Sequence, residues 1–151
     1  MRGRATLLLG VLLVALMAAP QFTAAPGGIG GAGDQGCTCH GGASPDTTVI
    51  VDGLPETYNA SETYTFTVTV ENNLFNPEDT PDWNGRAGGY RILVSHGDIV
   101  AVPESLSQMM DGGRTHTDDA NTVRSWTFAW TAPAADDLNV DMTRYGHAVT
   151  G

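Results

Sequence analysis

Strict alternation of apolar and polar residues runs through residues 62–70. Tyr64, Phe66, Val68 and Val70 fall on one side of an extended chain, and threonines occupy the intervening positions 63, 65, 67 and 69. One apolar and one polar face is typical of a strand in an antiparallel sheet that packs one side against a core. We therefore predict a strand over residues 62–70.

Shorter segments with strand character recur along the chain, separated by Gly, Pro and Asp. They are residues 47–51, 90–94, 99–102, 123–131 and 138–149. In 123–131 the aromatic residues Trp126, Phe128 and Trp130 share one face, which indicates core packing. Residues 106–110 are predicted as one helical turn or an irregular crossing, 114–121 as a polar connection, and 71–89 as a long loop.

Five or six strands and no amphipathic helix predict an all-β fold, an antiparallel β-sandwich of the immunoglobulin-like kind. The sandwich domain is assigned to residues 47–151. A sandwich of this kind has about seven strands, so a sequence truncated at its C-terminus, lacking a final strand and an anchor, is one interpretation that we keep open.

The first 26 residues have the features of an export signal. Arg2 and Arg4 precede a run from position 5 to position 19 that consists of apolar residues and glycine except for Thr6, and it is shorter than the ~20 residues of a spanning helix. Residues 1–26 are therefore predicted to be a signal peptide or a retained N-terminal anchor. Either assignment places the rest of the chain outside the cytoplasm, in an oxidising compartment.

Charge composition narrows the class of partner. Seven Lys and Arg, all of them Arg, stand against 17 Asp and Glu, giving a formal net charge of -10. Binding of nucleic acid requires clustered cations, so no nucleic-acid partner is predicted. The simplest interpretation of this negative charge is an acidic surface adapted to a salty medium.

Residues 27–46, here called the neck, are rich in glycine and predicted to be flexible. The neck carries Cys37, Cys39 and His40, which form a C-x-C-H motif one residue shorter than the C-x-x-C-H of c-type haem attachment. In that chemistry two thiols form thioethers to the haem and the adjacent histidine binds the iron. The leading hypothesis is thus a c-type-like haem at Cys37, Cys39 and His40, with an electron-transfer or redox role and an unknown redox partner.

Other chemistries fit the same three residues. A sixth iron ligand could be His96, His116, His147, Met109, Met110 or Met142, and His147 is the first choice. Cys37 and Cys39 could instead form a tight disulfide, or bind copper together with His40 and a distant ligand. Asp136, Asp137 and Asp141 lack the glycine and the closing glutamate of a calcium loop, and a solvated acidic turn is predicted there.

The order of several motifs carries a family resemblance. The cysteine motif is followed by V-x-V-x-G-L-P-x-x-Y from position 49, E-x-Y-T-F-T-V-T-V from 62, G-G-Y-R-I-L-V-S from 88, W-T-F-A-W-T-A-P from 126 and Y-G-H-A-V-T-G from 145. From Gly30 onward the chain resembles the secreted prokaryotic proteins described as choice-of-anchor V domains, relatives of the Reeler domain. The resemblance implies an extracellular, Reeler-like β-sandwich with a cell-surface anchor, and it matches Cys37, Cys39 and His40 to the family's cysteine motif.

No Ser-His-Asp order, pair of acids or phosphate-binding loop stands out, so no catalytic residues are predicted. The alternative to a redox protein is a non-catalytic adhesion or matrix module on the cell surface. In that case the two cysteines would only close a local ring, and attachment to a membrane or cell wall would come from the N-terminus or from a segment beyond position 151.

Overall fold

The fold is described from a computed structural model of the chain, which covers residues 25, 27–36, 42–74, 85–103 and 105–149. Eight strands lie in this part of the chain: β1 Thr47–Asp52, β2 Thr63–Asn72, β3 Gly88–Val94, β4 Asp98–Ala101, β5 Ser107–Met110, β6 Gly113–His116, β7 Ser125–Thr131 and β8 Met142–Ala148. Two short 3-10 helices, Gly31–Gly33 and Asp119–Thr122, complete the described elements.

The strands form two four-stranded sheets in which every pairing is antiparallel. The first sheet has the order β1-β2-β7-β4 and the second has the order β5-β6-β3-β8. The predicted all-β antiparallel sandwich is therefore confirmed.

The core lies between the two sheets and is built from the apolar faces that the alternation predicted. Phe66 of β2 and Phe128 of β7 are buried neighbours with ring centroids 5.5 Å apart. Tyr90 of β3 approaches them from the second sheet, 4.7 Å from Trp126 and 5.1 Å from Phe128 between centroids. The aromatic residues of β7 are thus core residues, as predicted.

The opposite face of the first sheet carries hydroxyl groups that pair across strands. Thr67 and Thr127 lie 3.2 Å apart between their hydroxyl oxygens, and the pairs Thr63–Thr131 and Thr69–Ser125 are each 3.0 Å apart. Cross-strand pairs of this kind stabilise a solvated sheet face and fix the register of its strands.

The structure corrects two predictions about the connection between β4 and β7. Residues 107–110 form a strand rather than a helical turn, and a second strand, residues 113–116, includes the start of the predicted polar connection 114–121. Asp111 and Gly112 link them with φ angles of 46° and 75°. Two central residues with positive φ form the tight type I′ turn for which Asp-Gly is a strong signal, so this segment is a hairpin.

The first part of the neck also differs from its prediction. Residues 27–36 lie across the outer face of the second sheet rather than hanging free. Ile29 N–H donates to the hydroxyl of Thr115 at 3.1 Å, and Gly31 N–H donates to the carboxylate of Asp111 at 2.9 Å. This part of the neck is therefore a packed element of the domain.

Except for Ala25, the predicted signal segment 1–26 lies outside the described residues. Within the described ranges, no helix combines the length and apolar character needed to cross a membrane.

Candidate functional site

The three residues of the C-x-C-H motif, Cys37, Cys39 and His40, lie outside the described residues. The chain is described up to Gly36 and again from Gly42. What the structure does show is how the neck is fastened immediately before the motif, and which side chains surround that attachment.

Arg91 of β3 is the centre of the attachment. Its side chain points to the outer face of the second sheet, yet the residue is only 1% exposed because the neck covers it. Nε donates to the carboxylate of Asp34, which also forms an ion pair with the guanidinium. A buried guanidinium is stable only when its donors have acceptors, and the neck supplies the carboxylate.

Backbone carbonyl groups accept the remaining hydrogen bonds of Arg91. Nη1 donates to Ile29 O at 3.1 Å and to Met110 O at 2.8 Å, and Nη2 donates to Asp111 O at 3.1 Å. The same side chain therefore joins three segments: the neck, strand β3 and the turn of the β5–β6 hairpin.

Asp34 is held from two directions. Tyr145 of β8 donates its hydroxyl to Asp34 O at 2.5 Å, while Arg91 binds the Asp34 carboxylate. The hydrogen bond from Arg91 and, to a lesser extent, its charge lower the pKa of Asp34, although desolvation opposes them. Asp34 is therefore ionised at neutral pH and remains a partner for the arginine.

Close contact between the neck and the sheet depends on glycine. Gly28 has a φ of 97°, and a Cβ there would lie 2.5 Å from Thr115 Cγ2. At Gly33 a Cβ would lie 3.1 Å from Arg91 Cδ, and at Gly113 it would lie 2.9 Å from Arg91 Cζ. The glycines thus allow the backbone to approach the second sheet at distances that a side chain would prevent.

His116, at the end of β6, supports the start of the neck. Its Nδ1 accepts a hydrogen bond from Tyr90 N–H at 3.2 Å, and the ring also interacts with the backbone of Ala25. Burial lowers the pKa of His116, although the hydrogen bonds to backbone carbonyls and the charge of Asp118 oppose that shift. The lowered pKa favours the neutral form of the ring.

Two imidazoles lie on the same side of the second sheet beside Gly89. The residue directly opposite Gly89 in the register is His147 of β8, so His147 projects to the side on which Gly89 would carry its Cβ. That Cβ would lie 2.8 Å from both ring nitrogens of His116. Glycine at position 89 therefore leaves space for the His116 ring next to the strand that carries His147.

The other suggested iron ligands are dispersed. His96 lies in the turn between β3 and β4, where its backbone carbonyl accepts from Trp130 Nε1 at 3.1 Å. Met109 and Met110 lie on β5, and Met142 begins β8. Among the described residues, no group of three or more His, Cys, Asp or Glu is arranged to hold a metal ion.

The sequence analysis did not identify the residues that hold the neck. Arg91 stands in the otherwise apolar run Gly88–Val94, and this isolated charge was the available signal. Asp34 is likewise the only charged residue of the described part of the neck before the motif, residues 27–36. Neither residue predicts the pairing by itself, because they are 57 positions apart.

No family model matches the chain, and neither does any curated protein. Among solved structures the chain is similar to the Reelin-N domain of F-spondin, with 17% identity, a TM-score of 0.45, and coverage of 66% of this chain and 70% of that one. It is also similar to two structures of the human F-spondin reeler domain, each at 16% identity over 66% of this chain. Their TM-scores are 0.46 and 0.45, and 73% and 76% of those chains are covered. Similarity at this level carries no inference about function.

Proposed function

We propose that this chain is an exported, non-catalytic β-sandwich module that presents its C-x-C-H segment at a fixed place on the outer face of the second sheet. The observation that carries the proposal is the docking of residues 27–36 through the buried Arg91. A connecting linker needs no such attachment. Desolvation of a guanidinium costs several kcal/mol, and here it is offset by a carboxylate and three carbonyl groups.

Chain length then limits where the motif can lie. Cys37 follows Asp34 by three residues, which span at most about 10 Å. His147 follows Tyr145, which binds the Asp34 carbonyl group, by two residues of a strand, about 7 Å. The start of the C-x-C-H segment is therefore within reach of the face of β8 that carries His147.

An extracellular location is supported by features of the sequence. The segment 1–26 has the composition of an export signal, and the motif order from Gly30 onward resembles choice-of-anchor V and Reeler-like domains. In such a compartment two cysteines separated by one residue would form a disulfide. The first form of the proposal is thus an adhesion or matrix module whose Cys37 and Cys39 close a local ring.

Thiol titration of the purified, exported protein tests this form. We expect no free thiol before reduction and two thiols per chain afterwards, with a mass increase of two hydrogens on reduction. Two free thiols in protein purified without reductant would contradict the disulfide.

A second form, a c-type-like haem or a copper ion at the motif, is favoured by the two imidazoles beside Gly89. Haem would supply electron transfer. Cys37 and Cys39 would hold it covalently, and His40 and His147 would be the ligands to its iron. Thiol and imidazole side chains are the residue types that haem attachment requires. His147 Nε2 is buried, so that nitrogen becomes accessible to an iron only if the side chain reorients. A copper ion would use the thiolates and imidazoles without the space that a porphyrin requires.

An absorption spectrum and metal analysis of protein from its natural source test the second form. A Soret band that survives acid-acetone extraction would establish covalent haem. One equivalent of copper that is lost in a Cys37→Ser variant would establish a copper site. A colourless, metal-free protein would exclude both and leave the module with its local disulfide.

A further inference from the structure

A groove opens at the end of the sandwich where β1 ends and β8 begins. It has a volume of about 670 Å³ and lies between the loop after β1 and the connection from β7 to β8. The docked neck reaches β8 further along, at Tyr145, and none of its described residues lines the groove. The groove is therefore separate from the attachment of the C-x-C-H segment.

The inner wall of the groove is apolar and aromatic. Tyr58 and Trp130 form part of it, with ring centroids 5.5 Å apart and an interplanar angle of 85°. The Tyr58 hydroxyl lies 3.0 Å from both Ala135 O and Leu138 O, so it fastens one loop to the other. Because the Tyr58 hydroxyl connects the two loops that form the sides of the groove, the groove has its shape before any ligand binds.

The rim of the groove carries charge of a single sign. Four carboxylates line it, from Glu56, Asp136, Asp137 and Asp141, and no Lys, Arg or His is among the lining residues. Carboxylates beside aromatic faces attract organic cations, because the charge and the ring quadrupole act in the same direction. A metal ion is a weaker candidate, since no group of three or more metal-ligating residues comes together within the described ranges.

We propose that this groove binds a small organic cation with an apolar body, of the alkylammonium class. Its volume is in the range of small-molecule sites, about 300 to 1,000 Å³. Tyr58, Leu138 and Met142 would contact the apolar body, and the carboxylates at the rim would neutralise the ammonium group.

Choline is the probe, and its uncharged isostere dimethylbutanol is the matched control. In nitrogen-15 NMR spectra of the folded protein, we expect choline to shift the amide signals of residues 54–58 and 136–142 in a saturable way. Dimethylbutanol should cause little shift, because it has the same shape without the charge. Asp136→Asn combined with Asp137→Asn should weaken choline binding about fivefold, as expected for the loss of two exposed charge interactions.

The matched control variant is Asp118→Asn combined with Asp119→Asn, which removes two adjacent carboxylates at the second 3-10 helix that do not line the groove. It should bind choline like the unmodified protein. Equal binding of dimethylbutanol, equal weakening in both variants, or shifts spread over the whole acidic surface would overturn the proposal. Binding of a lysine-containing peptide without binding of choline would also overturn it, in favour of a protein partner.

Discussion

At the scale of single residues, Arg91 connects the neck to the body of the sandwich. Its guanidinium meets one carboxylate and three carbonyl oxygens from the neck and from the β5–β6 turn. Arginine suits this position because its planar fork of donors reaches several acceptors at once, whereas a lysine ammonium is a compact point charge. The carbonyl groups of Ile29, Met110 and Asp111 would lose these donors if the side chain were replaced.

Arg91→Met should therefore lower the free energy of unfolding by about 3 kcal/mol, since three carbonyl oxygens lose charged donors and each loss costs roughly 1 kcal/mol or more. Urea unfolding followed by circular dichroism measures the change. The matched control is Arg86→Met, because Arg86 is 42% exposed in its ion pair with Asp118. The control should lose less than about 1 kcal/mol, and an Arg91→Met loss equally small would contradict the role of Arg91.

The protonation of His116 gives a pH dependence. Burial lowers the pKa of His116, so below about pH 6.5 the unfolded chain binds more protons than the folded chain. The contribution of this residue to stability is thus complete above that pH and decreases as the pH falls toward the lowered folded-state pKa. Unfolding measured from pH 7.5 to pH 5 should show this decrease, and His116→Gln should reduce it.

His96→Gln serves as the control for this pH experiment, because His96 is exposed and its ring lies 3.1 Å from the hydroxyl of the neighbouring Ser95. The control should keep the pH dependence of the unmodified protein. A His116→Gln variant with an unchanged slope would show that another group causes it.

The residue scale also shows where sequence reasoning reaches its limit. The inward positions of β2 and β7 were predictable, because alternation is a local property of the chain. Arg91 and Asp34 could not be paired, because their contact depends on a long-range arrangement of neck and sheet. The placement of Cys37, Cys39 and His40 remains a prediction.

At the scale of elements, residues 27–36 of the neck pack against the second sheet as part of the fold, although they do not form a strand. The glycine content predicted a flexible neck, because glycine gives the unfolded backbone the most conformational freedom. In the folded chain the same absence of Cβ atoms permits close approach to Thr115 and Arg91. Glycine content alone therefore could not distinguish a free linker from a docked segment.

Gly28→Ala should release the neck, because a Cβ there would meet Thr115 and the φ of 97° disfavours any side chain. Thermolysin cleaves before large apolar residues. In limited digestion it should then cut before Ile29 at least several times faster than in the unmodified protein. Gly27→Ala is the matched control, since nothing lies within 4 Å of its Cβ. Equal cleavage rates in the two variants would contradict the packing of residues 28–36.

The β5–β6 hairpin is the element that sequence analysis missed. Its strands have four residues each, too short for a clear alternation, and Asp111-Gly112 was interpreted as a break rather than as a turn. The local signal for a type I′ turn was present. What the sequence lacked was apolar residues in β6, whose Arg114, Thr115 and His116 are buried or half-buried through hydrogen bonds instead.

At the scale of the whole molecule, the sandwich depends on one aromatic core contributed by both sheets. Phe128 is fully buried against Phe66 and Tyr90. Phe128→Ala should cost about 3 to 5 kcal/mol in the free energy of unfolding. Its neighbour Thr127 lies on the opposite face, where Thr127→Ala should cost less than about 1 kcal/mol. Chemical unfolding of both variants measures the difference, and similar losses would contradict the assignment of the two faces.

The central claim is that the neck is part of the folded domain and fixes the position at which the C-x-C-H segment begins. Hydrogen–deuterium exchange of the exported protein at neutral pH tests it most directly, at the amides of Ile29 and Gly31. We predict exchange at least several times slower than that of an unstructured peptide, because these N–H groups are bonded to Thr115 and Asp111. Exchange of both amides at the rate of an unstructured peptide would contradict the account.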